Sequence, residues 1–400
     1  MQDNEQSPAI DFPMASNRRR DDKYTTAERG MPGVVRTTIK TEGHTDSHRN
    51  PMGTDGFEFV EYAAPDPDLL RKLFSKMGLP AVAHHRSKDV TLHKQHDINF
   101  IVNAEPDSFA QEFARLHGPC ACAMAFRVKD ANYALNRAVD LGARAVPGDP
   151  GPMELNIPAI EGIGGSRLYL VDRYGDDSIY DIDFRYEAGW EEQVAELDTG
   201  LTYIDHLTHN VHKGQMKVWA EFYETLFNFR EIRYFDIEGK HTGLFSKAMT
   251  SPCGKIRIPL NESQDDQSQI EEYLRDYKGE GIQHIALGTD DIYRTVDQLS
   301  ANGVELQDTN DTYYDMVDER VPGHGEPLDE LRKRRILIDG APKDDQGLLL
   351  QIFTKNVIGP IFFEIIQRKG NEGFGEGNFK ALFESLEADQ IRRGVISPNG

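Results

Sequence analysis

Three polar side chains interrupt apolar, strand-like stretches of this sequence. His206 lies in "YIDHLTHNV", His284 in "GIQHIAL" and Glu364 in "IGPIFFEIIQRKG", where Ile361, Phe362, Phe363, Ile365 and Ile366 surround the carboxylate. An ionised carboxylate in such surroundings loses much of its hydration energy unless it is paired, hydrogen-bonded or bound to a metal. Two imidazoles and a carboxylate form the facial triad of a non-haem Fe(II) oxygenase, which leaves the opposite face of the ion open to substrate and dioxygen. A single histidine in a strand is more often a satisfied core or surface residue. The metal reading therefore rests on the three occurring together and on their spacing, 78 residues from His206 to His284 and 80 from His284 to Glu364.

Near-equal spacing calls for a repeated framework, and the two halves of the chain supply one. "FEFVEYA" at Phe57 resembles "YIDHLTH" at Tyr203. "MAFRVKDANYALNRAVDLGA" at Met124 matches "IALGTDDIYRTVDQLSANGV" at Ile285, each a strand, an acidic helix start and a helix ending at Gly. "LYLVDRYGDDSIYDIDFRY" from Leu168 lies against "LLLQIFTKNVIGPIFFEIIQRK" from Leu348. On this alignment Glu364 faces Ile182, His284 faces Ala123 and His206 faces roughly Val60. The C-terminal half thus carries polar groups where the N-terminal half keeps apolar or small ones, so one metal is expected per chain. Amphipathic helices are expected in "PDLLRKLFSKMG", "DANYALNRAVDLG" and "KVWAEFYETLFNF", which with the strands gives an α+β pattern. His84, His85, His93 and His96 fall in polar segments and read as a solvated face. His209, three residues from His206, should turn to the opposite face of its strand.

The 400 residues suffice for two or three domains. With 67 acidic against 45 basic residues the formal charge is -22, which repels nucleic acid and anionic membrane surfaces. No apolar run approaches the roughly 20 residues that span a bilayer, so a cytoplasmic protein is expected. Cys120, Cys122 and Cys253 make neither a disulfide framework nor a CxxC knuckle and read as free, buried thiols.

Taken together, "DHLTHNV", "RIPLNE", "GIQHIAL", "DQGLLLQIFT", "FFEIIQRKG" and "GFGEGNFKALFES" resemble the 4-hydroxyphenylpyruvate dioxygenase family, in its bacterial form, within the vicinal-oxygen-chelate superfamily. The likeness runs from about Gly56 to Arg393. It implies duplicated βαβββ modules forming two open β-barrel domains of glyoxalase-like fold, with Fe(II) held only in the second by His206, His284 and Glu364. It implies conversion of 4-hydroxyphenylpyruvate and O2 to homogentisate and CO2, by oxidative decarboxylation, ring hydroxylation and side-chain migration, in tyrosine and phenylalanine catabolism. Ser246, Asn261, Gln269, Gln283 and Gln351 match the polar ring that orients substrate, and Phe353, Phe362, Phe374 and Phe379 match its aromatic wall. The expected organisation is a disordered or loosely attached extension (1–53), a metal-free barrel (54–195), a catalytic barrel (196–370) and a Gly hinge with a lid helix (371–400). A homo-oligomer, dimer or tetramer, is also implied. Two other functions stay open: 4-hydroxymandelate synthase, which "PLN" at Pro259–Asn261 argues against, and a metal-free binding protein of the same fold.

Overall fold

A computed structural model of the protein describes residues 36–38, 49–148, 150–151, 153–238, 243–264, 268–378 and 381. The expectations for residues 1–35, for Phe379 and for nearly all of the C-terminal helix lie outside the described residues. Within the expected N-terminal extension, Arg36–Thr38 forms a short strand paired antiparallel to Arg230–Glu238.

The duplication is real at the level of topology. The N-terminal sheet runs, edge to edge, Phe184–Tyr186, Ala81–His85, Val90–Gln95, Ile98–Asn103, Phe57–Ala63, Cys120–Arg127, Arg167–Val171, Ala159–Glu161 and Ala145–Val146. The C-terminal sheet runs Arg36–Thr38, Arg230–Glu238, Gly243–Thr250, Arg257–Ser263, Leu201–Val211, Gly281–Thr289, Phe362–Lys369, Leu348–Phe353 and Leu337–Gly340. In each, the two central strands pair antiparallel and each then pairs parallel with its outer neighbour. Each half therefore holds two βαβββ modules whose sheet curls into a half-barrel.

The helices start where their sequences say they should. Asp66, Asp130 and Asp291 cap Pro67–Lys76, Ala131–Asp140 and Ile292–Ala301, each carboxylate accepting from a backbone N–H of the first turn. Their apolar stripes join the helix-facing sides of both sheets in one core, where Phe74 and Phe100 of the first half meet Phe363 of the second at ring-centroid distances of 6.4 and 5.8 Å. Cys120 and Cys122 are free and buried; Cys253 is free and partly exposed.

Two sequence expectations need correcting. Register shows that Ala286 lies beside both His206 and Glu364, and its counterpart Ala125 lies beside Phe59 and Tyr169. The counterparts of His206 and Glu364 are thus Phe59 and Tyr169, not Val60 and Ile182, while His284 matches Ala123 as expected. Ile182 belongs to the short helix Ile179–Asp183, outside the sheet. The slip at His206 is a single residue within the strand Phe57–Ala63, whereas that at Glu364 is one whole strand, Arg167–Val171 corresponding to Phe362–Lys369 rather than to Leu348–Phe353; neighbouring strands of a module carry similar apolar patterns, which do not fix that choice. The second correction is His93, which is fully buried in the Val90–Gln95 strand, its Nδ1 2.9 Å from the Leu79 carbonyl and its ring against Phe74. His93 is covered by the helix Pro67–Lys76 that carries Phe74, while His84 and His96 are exposed and His85 is half-buried.

Candidate metal centre

His206, Ala286 and Glu364 lie side by side on three adjacent strands, and His284 sits two residues along from Ala286 on the same face. Strands spaced about 4.8 Å apart put the outer two residues nearly 10 Å apart at the backbone. Ala286, with only a methyl between them, leaves room for longer side chains to converge above it. They do: Glu364 Oε2 lies 3.2 Å from His206 Nε2 and 3.4 Å from His284 Nε2. The ligand atoms of all three lie within 4.8 Å of one another, and among the described residues no other group of His, Cys, Asp and Glu does this.

Both rings are turned by partners on their far side. His206 Nδ1 is 2.8 Å from Asp205 Oδ1, and His284 Nδ1 is 2.8 Å from Gln283 Oε1. Each contact fixes Nδ1 as an N–H donor and aims Nε2 at the centre. Asp205 can serve its own neighbour because the register shifts between Ile204 and His206; in a regular strand adjacent side chains point to opposite faces.

Glu364 Oε1 is buried without a hydrogen-bond partner. Leaving a buried acceptor unsatisfied costs about 1–3 kcal/mol. Burial pushes the Glu364 carboxyl up, but His206 and His284 outweigh it and hold the group at about 2. Burial pulls His206 down, yet Glu364 and Asp205 raise it overall, whereas His284 stays lowered by burial despite Glu364. An anionic carboxylate with an unused oxygen, facing two imidazole nitrogens, is a donor set that fits a divalent metal.

The other expected site residues divide. Phe362 stacks on His284 at 4.9 Å, Phe353 stands edge-on to that ring at 6.4 Å, and Phe374 meets His206 edge-on at 5.3 Å. Ser246 and Asn261 are register partners on adjacent strands, and Gln351 is buried with its Oε1 unpartnered against Gly375. Gln283 spends its carbonyl on His284. Gln269, the first residue of the helix Gln269–Tyr277, is exposed. His209 turns away as expected, its Nε2 2.8 Å from Tyr223 Oη.

Sequence reasoning missed Asp205, Arg368 and Asn210. Asp205 and Arg368 form a buried two-point ion pair, with Nε to Oδ2 at 2.7 Å and Nη2 to Oδ1 at 2.8 Å. Burial opposes ionisation of Asp205, but Arg368 and His206 keep its carboxyl well below the usual range. Asn210, register partner of Asn261, is fully buried with both amide atoms unpartnered. Asp205 and Arg368 could have been found by the test that found Glu364, a charge in an apolar strand.

The glycines after Lys369 have a reason other than flexibility. Gly375 has φ +75°, and a Cβ there would overlap the Gln351 amide; a Cβ at Gly377 would collide with the Asp339 carboxylate. The backbone comes that close because the segment is docked. Gly377 N–H donates to Asp339 Oδ2 at 2.8 Å, Tyr313 Oη donates to Asn378 Oδ1 at 2.6 Å, and Glu376 pairs with Arg233.

Comparison with known proteins agrees with this geometry. A family model described as "Hydroxyphenylpyruvate dioxygenase, HPPD, N-terminal" matches residues 48–185, and one for the "Glyoxalase/Bleomycin resistance protein/Dioxygenase superfamily" matches residues 203–351. A 4-hydroxyphenylpyruvate dioxygenase of Pseudomonas aeruginosa is 66% identical over 350 residues, covering 87% of this chain and 97% of that protein. Hemolysin VllY of Vibrio vulnificus is 65% identical, covering 87% of this chain and 98% of that one. Among solved structures, a triple mutant of 4-hydroxymandelate synthase from Streptomyces coelicolor is 26% identical with TM-score 0.71, covering 85% of this chain and 100% of that one. Matched across almost the whole length of its relatives, with both barrels present, the chain belongs to the 4-hydroxyphenylpyruvate dioxygenase family.

Proposed function

We propose that the protein converts 4-hydroxyphenylpyruvate and O2 to homogentisate and CO2, with Fe(II) held by His206, His284 and Glu364. The observation that carries the metal reading is the convergence of two Nε2 atoms on a buried carboxylate whose second oxygen has no partner. The substrate assignment is supported by relatives of that name at 54–66% identity over most of the chain. Bound there, Fe(II) would supply the redox chemistry that activates dioxygen. Atoms balance without another reductant: one oxygen of O2 enters the new carboxylate as CO2 leaves, and the other enters the ring.

The chain's own residues hold and orient. Gln283 and Asp205 hold each ring through Nδ1–H so that Nε2 is aimed inward, where it can bind a metal. Phe353, Phe362 and Phe374 offer faces and edges to a planar ring, each well-placed pair contributing about 0.5–1.5 kcal/mol. Ser246, Asn261, Asn210 and Gln351 offer uncharged donors and acceptors that do not titrate. The docked 371–378 segment covers the site against water, which would otherwise intercept the reaction.

The test is iron content and product identity in protein purified without oxygen. One Fe(II) per chain and O2-dependent homogentisate are expected. 4-Hydroxymandelate as the product would make the chain a synthase, and substrate binding with neither iron nor turnover would make it a binding protein.

A further inference from the structure

Arg368 lies on the strand that carries Glu364, four residues on and on the same face, with its side chain 8% exposed. Its Nε and Nη2 hold both oxygens of Asp205, and Oδ1 of that carboxylate also takes the His206 Nδ1 hydrogen bond. Its remaining terminal nitrogen reaches the other way: Nη1 donates to the Asn371 carbonyl at 3.0 Å and the Gly373 carbonyl at 2.7 Å. The guanidinium also lies 5.7 Å from the centre of the Phe374 ring. Arg257 repeats the connection, with Nη1 3.5 Å from Asp205 Oδ2 and Nη2 2.5 Å from Glu372 Oε2. One carboxylate thus supports a metal ligand on one side and is tied by two arginines to the backbone and side chains of the docked segment on the other.

We propose that Arg368 is a positioning residue that couples the seating of residues 371–378 to the setting of the His206 ring through Asp205, an inference that rests on the metal-site reading. A guanidinium has a rigid fork of five donors, so holding two carbonyls on one edge orients the edge that grips Asp205. When the segment lifts, Arg368 loses those two acceptors, Asp205 loses its fixed orientation, and the His206 ring is free to turn. Linkage makes the effect mutual: the factor by which metal binding favours the docked segment is the factor by which docking tightens metal binding. The bland role for Arg368 is charge compensation of a buried Asp205, and it predicts no such coupling.

Amide hydrogen exchange of residues 371–378, with and without Fe(II) under anaerobic conditions, separates the two in the full chain. In wild type, Fe(II) should slow exchange throughout the segment. In Arg368→Gln, iron should bind roughly 10–100-fold more weakly, as is typical when a group supporting a ligand is removed, and exchange in the segment should no longer respond to Fe(II). Arg368→Lys keeps a charge for Asp205 and so keeps the fold, but a lysine cannot also hold two carbonyls; it should bind Fe(II) and likewise leave the segment unresponsive. Fe(II)-dependent slowing in Arg368→Lys equal to that in wild type overturns the proposal, as does wild type that takes up Fe(II) with no change in the segment. Wild type that takes up no Fe(II) refutes the metal-site reading itself.

Discussion

Gly375→Ala tests whether the docked C-terminal segment matters for the chemistry. A non-glycine residue at φ +75° costs about 1–2 kcal/mol. The new Cβ would overlap the amide of Gln351, a residue 2% exposed with little room to retreat. Overpacking of that kind costs about 1–3 kcal/mol. The sum, about 2–5 kcal/mol, falls almost wholly on the docked state, because an undocked segment can relieve both terms. At 1.4 kcal/mol per tenfold, docking weakens by roughly 30-fold or more. The triad strands lie outside the segment, so the variant should fold and take up iron when Fe(II) is saturating. Turnover should fall and become uncoupled, with oxygen consumed in excess of homogentisate formed, since the ring is less firmly held and water gains access. An oxygen electrode and product chromatography on the same sample measure the ratio. A variant with wild-type turnover and one homogentisate per O2 would show that the segment plays no part in the reaction.

Three further outcomes follow from the site and the core. Glu364→Gln should keep the fold, because the amide is nearly isosteric, yet lose most activity for want of a negative charge on the metal, while His206→Ala and His284→Ala should lose iron outright; full turnover with iron retained in any of the three would refute the triad. Asn210→Leu removes a buried amide that has no partner, so the metal-free protein should be at least as stable by thermal melting, by up to about 1–3 kcal/mol, while KM for the substrate rises; a clear loss of stability would show that Asn210 is structural. His93 is pulled from 6.5 to about 4 by burial. Its folded-state value is depressed, so the unfolded chain binds the extra proton between those values, and stability falls on acidification from pH 6.5 to 4 at up to about 1.4 kcal/mol per unit. His93→Gln should flatten that part of a pH series of urea midpoints, and an unchanged slope would assign it elsewhere.

The residues most legible in the sequence were those that violated their surroundings. Glu364 amid isoleucines and phenylalanines, and two histidines at matching distances, announced a site because nothing in an ordinary strand would satisfy them. The module repeat was equally visible, since Asp130 and Asp291 begin equivalent helices with the same cap. What was illegible depended on which strand lies beside which. Tyr169 rather than Ile182 stands opposite Glu364 for that reason, and His93 is buried although its neighbours are polar. Gln283 could be recognised as part of the site, but that its carbonyl serves His284 depends on the side chain reaching along its own strand. The composition of "GFGEGN" suggests a hinge; that Gly375 and Gly377 face Gln351 and Asp339 at close range is a fact of tertiary structure.

Two sheets of one topology carry different contents, and the difference explains how the site is sustained. The face of the N-terminal sheet equivalent to the metal face is filled: Phe59, Leu92, Ile101 and Ala125 pack against Ile179, Tyr180 and Phe184. Its buried carboxylates are partnered, Glu61 by Asn103 at 2.7 Å and Glu58 by Arg127 at 2.5 Å. On the C-terminal sheet the corresponding apolar cluster shrinks to Ala286, Leu349 and Ile366, and Glu364 Oε1, Gln351 Oε1 and both amide atoms of Asn210 are left without partners. Each such group weakens the fold by about 1–3 kcal/mol until something binds to it, and a domain is stable by only about 5–15 kcal/mol in all. A lone half-barrel with this interior would be marginal. The Phe74, Phe100 and Phe363 contacts tie it to a half whose inner face is well packed, so the N-terminal half contributes stability that lets its duplicate keep an open, polar face.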